Sequence, residues 1–337
     1  MSPPPSIASA EAAEPTPVAA PRIALPLPST DNASLAIGLV VAATACFSAG
    51  DVAAKMLAAT LPAVQVTWMR YTVFATMVVV AALMISGPGT LRPKSVKLQL
   101  LRGVATSSSA LFFILGLKSL DVAQATAIHY MSPIFITALS IPLLGERVGA
   151  HRWAAAGLGF AGVLIVMRPF GAAFTLAALL PAAGAMAWAL GAVVTRKMAS
   201  DRPETTLAWS ALVGLAILSI LVPFAWRMPT AHEAGIAVAM GVCSTAGHGL
   251  LVVALRRAAA SALAPFSYVQ ILFAVAMSFA VFGRMPDLWT IAGGAVIAAS
   301  GVYVAHRERV SARAPRVSSR FADDPHVVAE AVAAPPR

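Results

Sequence analysis

Residues 34–56 read SLAIGLVVAATACFSAGDVAAKM, twenty-three positions with two charges, Asp51 and Lys55. Residues 175–197 read TLAALLPAAGAMAWALGAVVTRK, and the two stretches align without a gap at an offset of 141. At that offset Phe47-x-x-Gly50-x4-Lys55 falls on Trp188-x-x-Gly191-x4-Arg196, and Pro62-x5-Trp68 falls on Pro203-x5-Trp209. Shortening one loop by three residues changes the offset to 138, which brings Gly103, Lys118, Tyr130 and Gly145 onto Gly241, Arg256, Tyr268 and Gly283. A further one-residue slip pairs Ala161-Gly162-Val163 with Ser300-Gly301-Val302. An ordered series of this kind marks an internal duplication.

Composition says which solvent the duplicated unit faces. Of the 337 residues 59% are hydrophobic and 11% charged, with a mean hydropathy of +0.80. Soluble domains carry roughly 25% charged residues, so this much apolar surface is read as facing lipid. Apolar runs of about twenty residues match the length that a helix needs to cross about 30 Å of hydrocarbon. Ten such spans are predicted, near 34–56, 63–86, 98–118, 121–144, 150–168, 173–196, 204–226, 232–255, 259–282 and 287–305. The expected fold is therefore an all-α membrane protein of ten transmembrane helices in two repeats, 34–168 and 173–305. Residues 1–33, with eight prolines before position 31, and the basic segment 306–337 read as disordered tails, and no signal peptide is evident at the start.

Five spans per repeat is an odd number, so the second half must enter the membrane from the opposite side. The halves are then inverted, an architecture of secondary transporters that hold substrate near the midplane between repeats. Lysine and arginine set the orientation. With the N-terminus inside, the inner loops hold Arg92, Lys94, Lys97, Arg102, Arg147, Arg152, Arg196, Lys197, Arg202, Arg256 and Arg257. The outer connections hold Lys55, Lys118, Arg168, Arg227 and Arg284. The excess predicts cytoplasmic termini in a bacterial inner membrane. It also accounts for the net charge of +10 without nucleic-acid binding.

Ionisable and aromatic groups inside the spans are the candidate site, because a charge in hydrocarbon costs about 2.5–3.5 kcal/mol on insertion scales. Asp51 has two candidate partners, Lys55 one turn on and Arg70 in helix 2, so it serves either a structural pair or charge coupling. His129 and Tyr130 lie at mid-depth just before Pro133, which removes a backbone donor. Tyr268 and Gln270 occupy the matching region of helix 9. His248 lies among Gly247 and Gly249, and Phe47 and Trp188 match across the repeat as candidate stacking surfaces. Substrate contact is expected at Phe47, His129, Tyr130, Trp188, His248, Tyr268 and Gln270, with charge coupling at Asp51 and Arg70. Packing between helices is the plainer use of the same residues. Cys46 and Cys243 fall inside apolar runs and imply no disulfide.

Three segments resemble a known family: Ala123-Gln124-Ala125-Thr126-Ala127-Ile128 through Ser132-Pro133-Ile134-Phe135; Leu144-Gly145-Glu146-Arg147; and Gly159-Phe160-Ala161-Gly162-Val163-Leu164-Ile165. They are similar to the first repeat of the drug/metabolite transporter superfamily, EamA type, over about residues 35–305. The resemblance implies ten helices, two EamA repeats and ion- or potential-linked movement of small metabolites. Cys46-Phe47 through Asp51, Lys55, Gln65-x4-Arg70 and Arg147-Val148-Gly149-x-His151-Arg152-Trp153 resemble the branch with riboflavin and S-adenosylmethionine uptake proteins. The second repeat departs from the pattern at Gly283-Arg284, where the first has Gly145-Glu146.

Nucleotide-binding, zinc-hydrolase and serine-hydrolase motifs are missing from the sequence, and no cofactor or metal is expected. The favoured function is alternating-access transport of a small molecule such as riboflavin, S-adenosylmethionine or an amino-acid derivative. The alternatives are a general drug, metabolite or amino-acid exporter, a membrane-embedded enzyme using a histidine with Asp51, and a helical scaffold or receptor. Partners are the lipid bilayer and the substrate, and a homodimer is compatible with this reading.

Overall fold

The computed structural model describes residues 30–145, 150–168, 175–198, 200–255, 257, 263 and 266–313. Within them the chain forms helices joined by turns, with no strand. In chain order they are α1 (Thr30–Ala58), α2 (Ala63–Ser86), α3 (Val96–Leu117), α4 (Val122–His129), α5 (Ser132–Leu144), α6 (Ala150–Met167), α7 (Leu179–Lys197), α8 (Pro203–Leu221), α9 (Ala231–Leu255), α10 (Val269–Phe282) and α11 (Leu288–Arg313). Short 3-10 turns cover Pro88–Leu91, Leu176–Ala178 and Val222–Ala225.

Seven helical segments are long and apolar enough to cross a membrane: Ser34–Ala58, Ala63–Ser86, Val96–Leu117, Val122–Leu144, Leu176–Lys197, Pro203–Ala225 and Ala231–Ala254. Three shorter apolar helices, Ala156–Met167, Val269–Phe282 and Leu288–Tyr303, accompany them. Large apolar side chains crowd the outer surface, with Phe224 at 87% and Met84 at 81% exposure. In water such a surface would be an aggregation hazard; in lipid it costs nothing. The chain is a multi-pass membrane protein.

Several sequence expectations need correction. The helix expected over 121–144 is broken at Tyr130–Met131, because Pro133 belongs to the first turn of a new helix, where its missing N–H is tolerated. The span expected to end at 226 leaves α-geometry at Leu221 and finishes as a 3-10 turn around Pro223. The last helix continues to Arg313, past the expected tail boundary at 306. Arg102, counted as a loop charge, lies inside α3. The expected loop residues Glu146, Arg147 and Arg256, the start of the ninth span and both chain ends lie outside the described residues.

Packing follows small residues. α1 lies against α9 and α7 against α3; α3 lies against α8 and α9 against α2. α2 pairs with α8, and α6 with α11. α1 also meets α10, as α7 meets α4 and α5. Glycines allow several of these crossings, and two of them correspond between the halves. A β-carbon on Gly103 would fall 2.5 Å from Cβ of Val213, and one on Gly241 would fall 2.4 Å from Cβ of Val73. Two further glycines make close approaches of the same kind. Positions that a β-carbon would take on Gly50 and Gly191 lie 3.0 Å from the Ser244 hydroxyl and from a Thr106 methyl. Gly145 and Gly283 close α5 and α10 in left-handed geometry, at φ 68° and 65°, which side chains other than glycine rarely adopt.

The most tightly packed apolar cluster includes Leu57, Leu61, Ile114, Leu117, Leu120 and Ile128, each 2% exposed or less. It joins the C-terminal ends of α1 and α3 to the starts of α2 and α4. Lys55 donates to the carbonyls of Leu117 at 3.0 Å and Leu120 at 2.6 Å, where the unsatisfied acceptors of a helix C-terminus are found. The helix-neighbour pair Asp51–Lys55 considered from sequence therefore does not form. Arg70 is the partner of Asp51.

Candidate functional site

A cavity of about 770 Å³ lies inside the bundle. It falls within the range of ligand pockets, roughly 300–1,000 Å³. Phe47, Asp51, Arg70, His129, Tyr130, Trp188, His248, Tyr268 and Gln270 all line it. The residues picked out from sequence are thus brought together, from six helices and from the turns after α4 and before α10.

A polar chain crosses one wall. Nη1 of Arg70 lies 3.8 Å from a carboxylate oxygen of Asp51, an ion pair longer than a hydrogen bond. The Gln270 amide donates to the other Asp51 oxygen at 3.4 Å. The Tyr130 hydroxyl donates its one proton to the Ser267 carbonyl at 2.6 Å, and the Gln270 side-chain oxygen lies 3.3 Å from the same hydroxyl as the longer branch of a shared contact. The Ser48 hydroxyl donates to the Gln270 carbonyl at 3.1 Å, tying α1 to the start of α10. Asp51 and Arg70 are 9% and 15% exposed at their side chains, so both charges are largely withdrawn from solvent.

Aromatic rings form the rest. Tyr130 and Tyr268 pack with centroids 5.0 Å apart at an interplanar angle of 33°. His248 donates from Nδ1 to the Ser244 carbonyl at 2.8 Å, because a carbonyl only accepts, and this fixes its ring. That ring meets the edge of Phe47 at 4.9 Å and lies 5.4 Å from Phe74. His129 stands edge-on to Phe113 at 5.3 Å and bonds to the backbone carbonyl of Pro181. Its Nδ1 is buried without a hydrogen-bond partner, as are the hydroxyls of Thr126 and Ser244, all on residues that line the cavity. Buried polar atoms are normally satisfied, so three exceptions around one cavity are notable.

Arg102 is the residue that charge counting misplaced. Nε donates to the Thr195 hydroxyl at 2.7 Å, while Nη1 donates to the Thr206 carbonyl at 3.0 Å and to the Ser210 hydroxyl. The available sign was its place as the fifth residue of the predicted span, next to Gly103.

The EamA-like transporter family model matches residues 34–168 and again 175–305. The chain belongs to the EamA-like transporter family. Among its curated relatives, an S-adenosylmethionine uptake transporter of Rickettsia bellii is 24% identical over 279 residues, covering 82% of this chain and 95% of the relative. A riboflavin transporter of Rhizobium johnstonii is 29% identical over 207 residues, covering 60% and 68%. A pseudopaline exporter of Pseudomonas aeruginosa is 27% identical over 264 residues, covering 77% and 92%. A crystal structure of a protein 20% identical aligns with a TM-score of 0.61 over 82% of this chain and 98% of its own, a likeness of fold alone. The family match covers the resemblance read from sequence, and transporters named for S-adenosylmethionine and riboflavin are among the relatives. This is a family of membrane transporters, so a small-molecule substrate and a membrane setting go with membership.

Proposed function

We propose that this EamA-family member is an inner-membrane secondary transporter that carries a small, flat-ringed organic metabolite by alternating access. The observation that carries the reading is the convergence of Phe47, His129, Tyr130, Trp188, His248 and Tyr268 on one cavity with the polar chain Arg70–Asp51–Gln270. Aromatic faces suit a planar heterocycle, and a few placed polar groups fix its orientation.

Two inverted five-helix repeats, ten spans in all, are the architecture that we attach to this function. Helix pairings that exchange under the swap of halves support it: α1 on α9 with α7 on α3, and α3 on α8 with α9 on α2. So do the glycine contacts at equivalent places, and the two family matches. With both termini cytoplasmic, the cavity residues Thr137 and Ser140 of α5, Arg196 of α7 and Leu251 of α9 lie toward the cytoplasmic helix ends. The opposite end is tied by Gln65, whose amide and carbonyl bond the backbone of Arg227 at 2.6 Å and 2.9 Å, and by Lys55. This is the pattern of a state open to the cytoplasm.

The relatives named for uptake make riboflavin and S-adenosylmethionine the cargoes to try. The pseudopaline exporter keeps export as the second direction. The experiment is radiolabelled uptake into cells lacking their own importers, followed by counterflow in vesicles containing the purified chain. Accumulation of a flat-ringed compound, abolished by Tyr268→Ala, is expected. Failure to exchange any of these compounds across the vesicle membrane by correctly inserted protein would overturn the reading.

A further inference from the structure

Among the described residues four formally charged ones line the cavity, Asp51, Arg70, Arg102 and Arg196, three of them arginine. Asp51 is committed to Arg70 and Gln270. Arg102 is bonded to the hydroxyls of Thr195 and Ser210 and to the Thr206 carbonyl, all neutral acceptors, and among the described residues no carboxylate pairs with it. These bonds use Nε and Nη1, and leave Nη2, with its two donors, without a partner among the described residues.

A guanidinium placed in a membrane protein with only neutral partners is costly, and it marks a pathway or a binding site more often than a strut. Here three bonds from three positions on α7 and α8 hold the fork in one orientation. Preorganisation of this kind is what bidentate recognition of a carboxylate or phosphate requires. Arg70 lines the same cavity with its charge offset by Asp51, while the His248 ring stands between Phe47 and Phe74. At a half-buried position in such a cavity the Arg102 charge attracts an anion and repels a cation more strongly than it would at an open surface.

We propose that the substrate is an organic anion, a planar ring bearing a carboxylate or phosphate, with the anionic group on Arg102 and the ring among Phe47, Phe74 and His248. The assignment rests on the cavity being the transport site. It sets this chain apart from a carrier of a sulfonium cation such as S-adenosylmethionine, despite the likeness to proteins named for it.

The test is equilibrium binding to the purified full chain in detergent, with probes that share a ring and differ in charge. Riboflavin and riboflavin 5′-phosphate form one pair, and indole-3-acetamide and indole-3-acetate another. S-adenosylmethionine is the cation. The anionic member of a pair is expected to bind at least about tenfold tighter than its neutral partner, and the cation not to compete. Arg102→Gln should remove that preference and Arg102→Lys should restore part of it; size-exclusion chromatography identifies a misfolded variant. The wild-type comparison needs no variant. Equal or tighter binding of the neutral or cationic probes, or no binding by either anion, overturns the proposal. Tight anion binding without counterflow in vesicles would instead count against transport and leave the binding site standing.

Discussion

The rings of Tyr130 and Tyr268, 138 residues apart in the chain, lie face to tilted face with centroids 5.0 Å apart. The same offset relates Gly103 to Gly241 and Gly145 to Gly283. The two tyrosines are therefore corresponding residues of the duplicated sequence that meet in space. Gly301 makes room for them: a β-carbon there would fall 1.9 Å from the Tyr268 ring. Gly301→Ala should push that ring off its partner and into the cavity, with an overpacking cost of about 1–3 kcal/mol. Lower thermal stability and lost substrate binding are expected together. Tyr130→Phe, which removes the bond to Ser267 and keeps the ring, should cost about 1 kcal/mol and leave the ring contact in place. Melting of the purified variants checks both.

The paired glycines make a sharper prediction. Alanine at Gly103 meets Val213, and alanine at Gly241 meets Val73, at nearly the same distance. Each substitution should destabilise by a similar amount, about 1–3 kcal/mol. Because the nearest clashing atom is the valine β-carbon itself, Val213→Gly should relieve only the first and Val73→Gly only the second. A cross-rescue, or a large difference between the two glycines, would contradict the equivalence of these crossings. Double-mutant cycles in detergent supply the measurement.

Asp287 gives a pH dependence outside the apolar segments. Burial pushes its carboxyl upward, but the Thr290 hydroxyl and N–H and the Arg168 guanidinium outweigh that and hold it below the ordinary carboxylate value. It accepts from Thr290 N at 2.8 Å, which caps α11, and pairs with Arg168 at the end of α6. A lowered value in the folded protein means that the charged form stabilises. Its contribution is complete above the unfolded value, about 3.9, and is lost as pH falls through the lower folded one. Asp287→Asn should therefore melt below wild type at pH 6, by about 1 kcal/mol or less for a pair this exposed, and the gap should begin to narrow only as pH falls below about 4. A gap that does not narrow at all on acidification would mean that the cap, not the charge, carries the effect.

Much of the architecture was legible because lipid leaves a strong imprint. Run length, charge clustering and the repeat gave the helices, and the glycines at 145 and 283 sit at equivalent helix ends because side chains other than glycine rarely adopt that φ. The helix break at Tyr130 was half-legible: Pro133 announced a lost donor, but a kink and a new first turn look alike in sequence. The candidate cavity residues were found by one rule, that polar and aromatic groups in hydrocarbon must have a reason. The same rule should have caught Arg102. Counting it as a loop charge failed because the positive-inside bias and a buried guanidinium use the same residue near a span boundary. Trp68 and Trp209 match in sequence yet donate to unrelated acceptors, the Ser219 hydroxyl and the Leu91 carbonyl. Connections diverge between repeats while packing faces stay alike.

Lys55 separates two readings of the charges near the end of α1. Spacing alone allowed a bond to Asp51, whereas the ammonium is held by the carbonyls of Leu117 and Leu120, beside the buried Leu57 and Leu61. Lys55→Met should cost about 1.5–3 kcal/mol, the range for hydrogen bonds to a charged group. Because the loss comes from uncapped carbonyls, Lys55→Met and Asp51→Asn should combine additively. Asp51→Asn and Arg70→Gln share an ion pair, so their double variant should be less destabilised than the sum of the singles by about 0.5 kcal/mol or more. Stability of the six proteins in one detergent decides it. Coupling between Lys55 and Asp51 of the same size would restore the helix-neighbour pair, and would remove the case for Arg70 as the partner of the carboxylate.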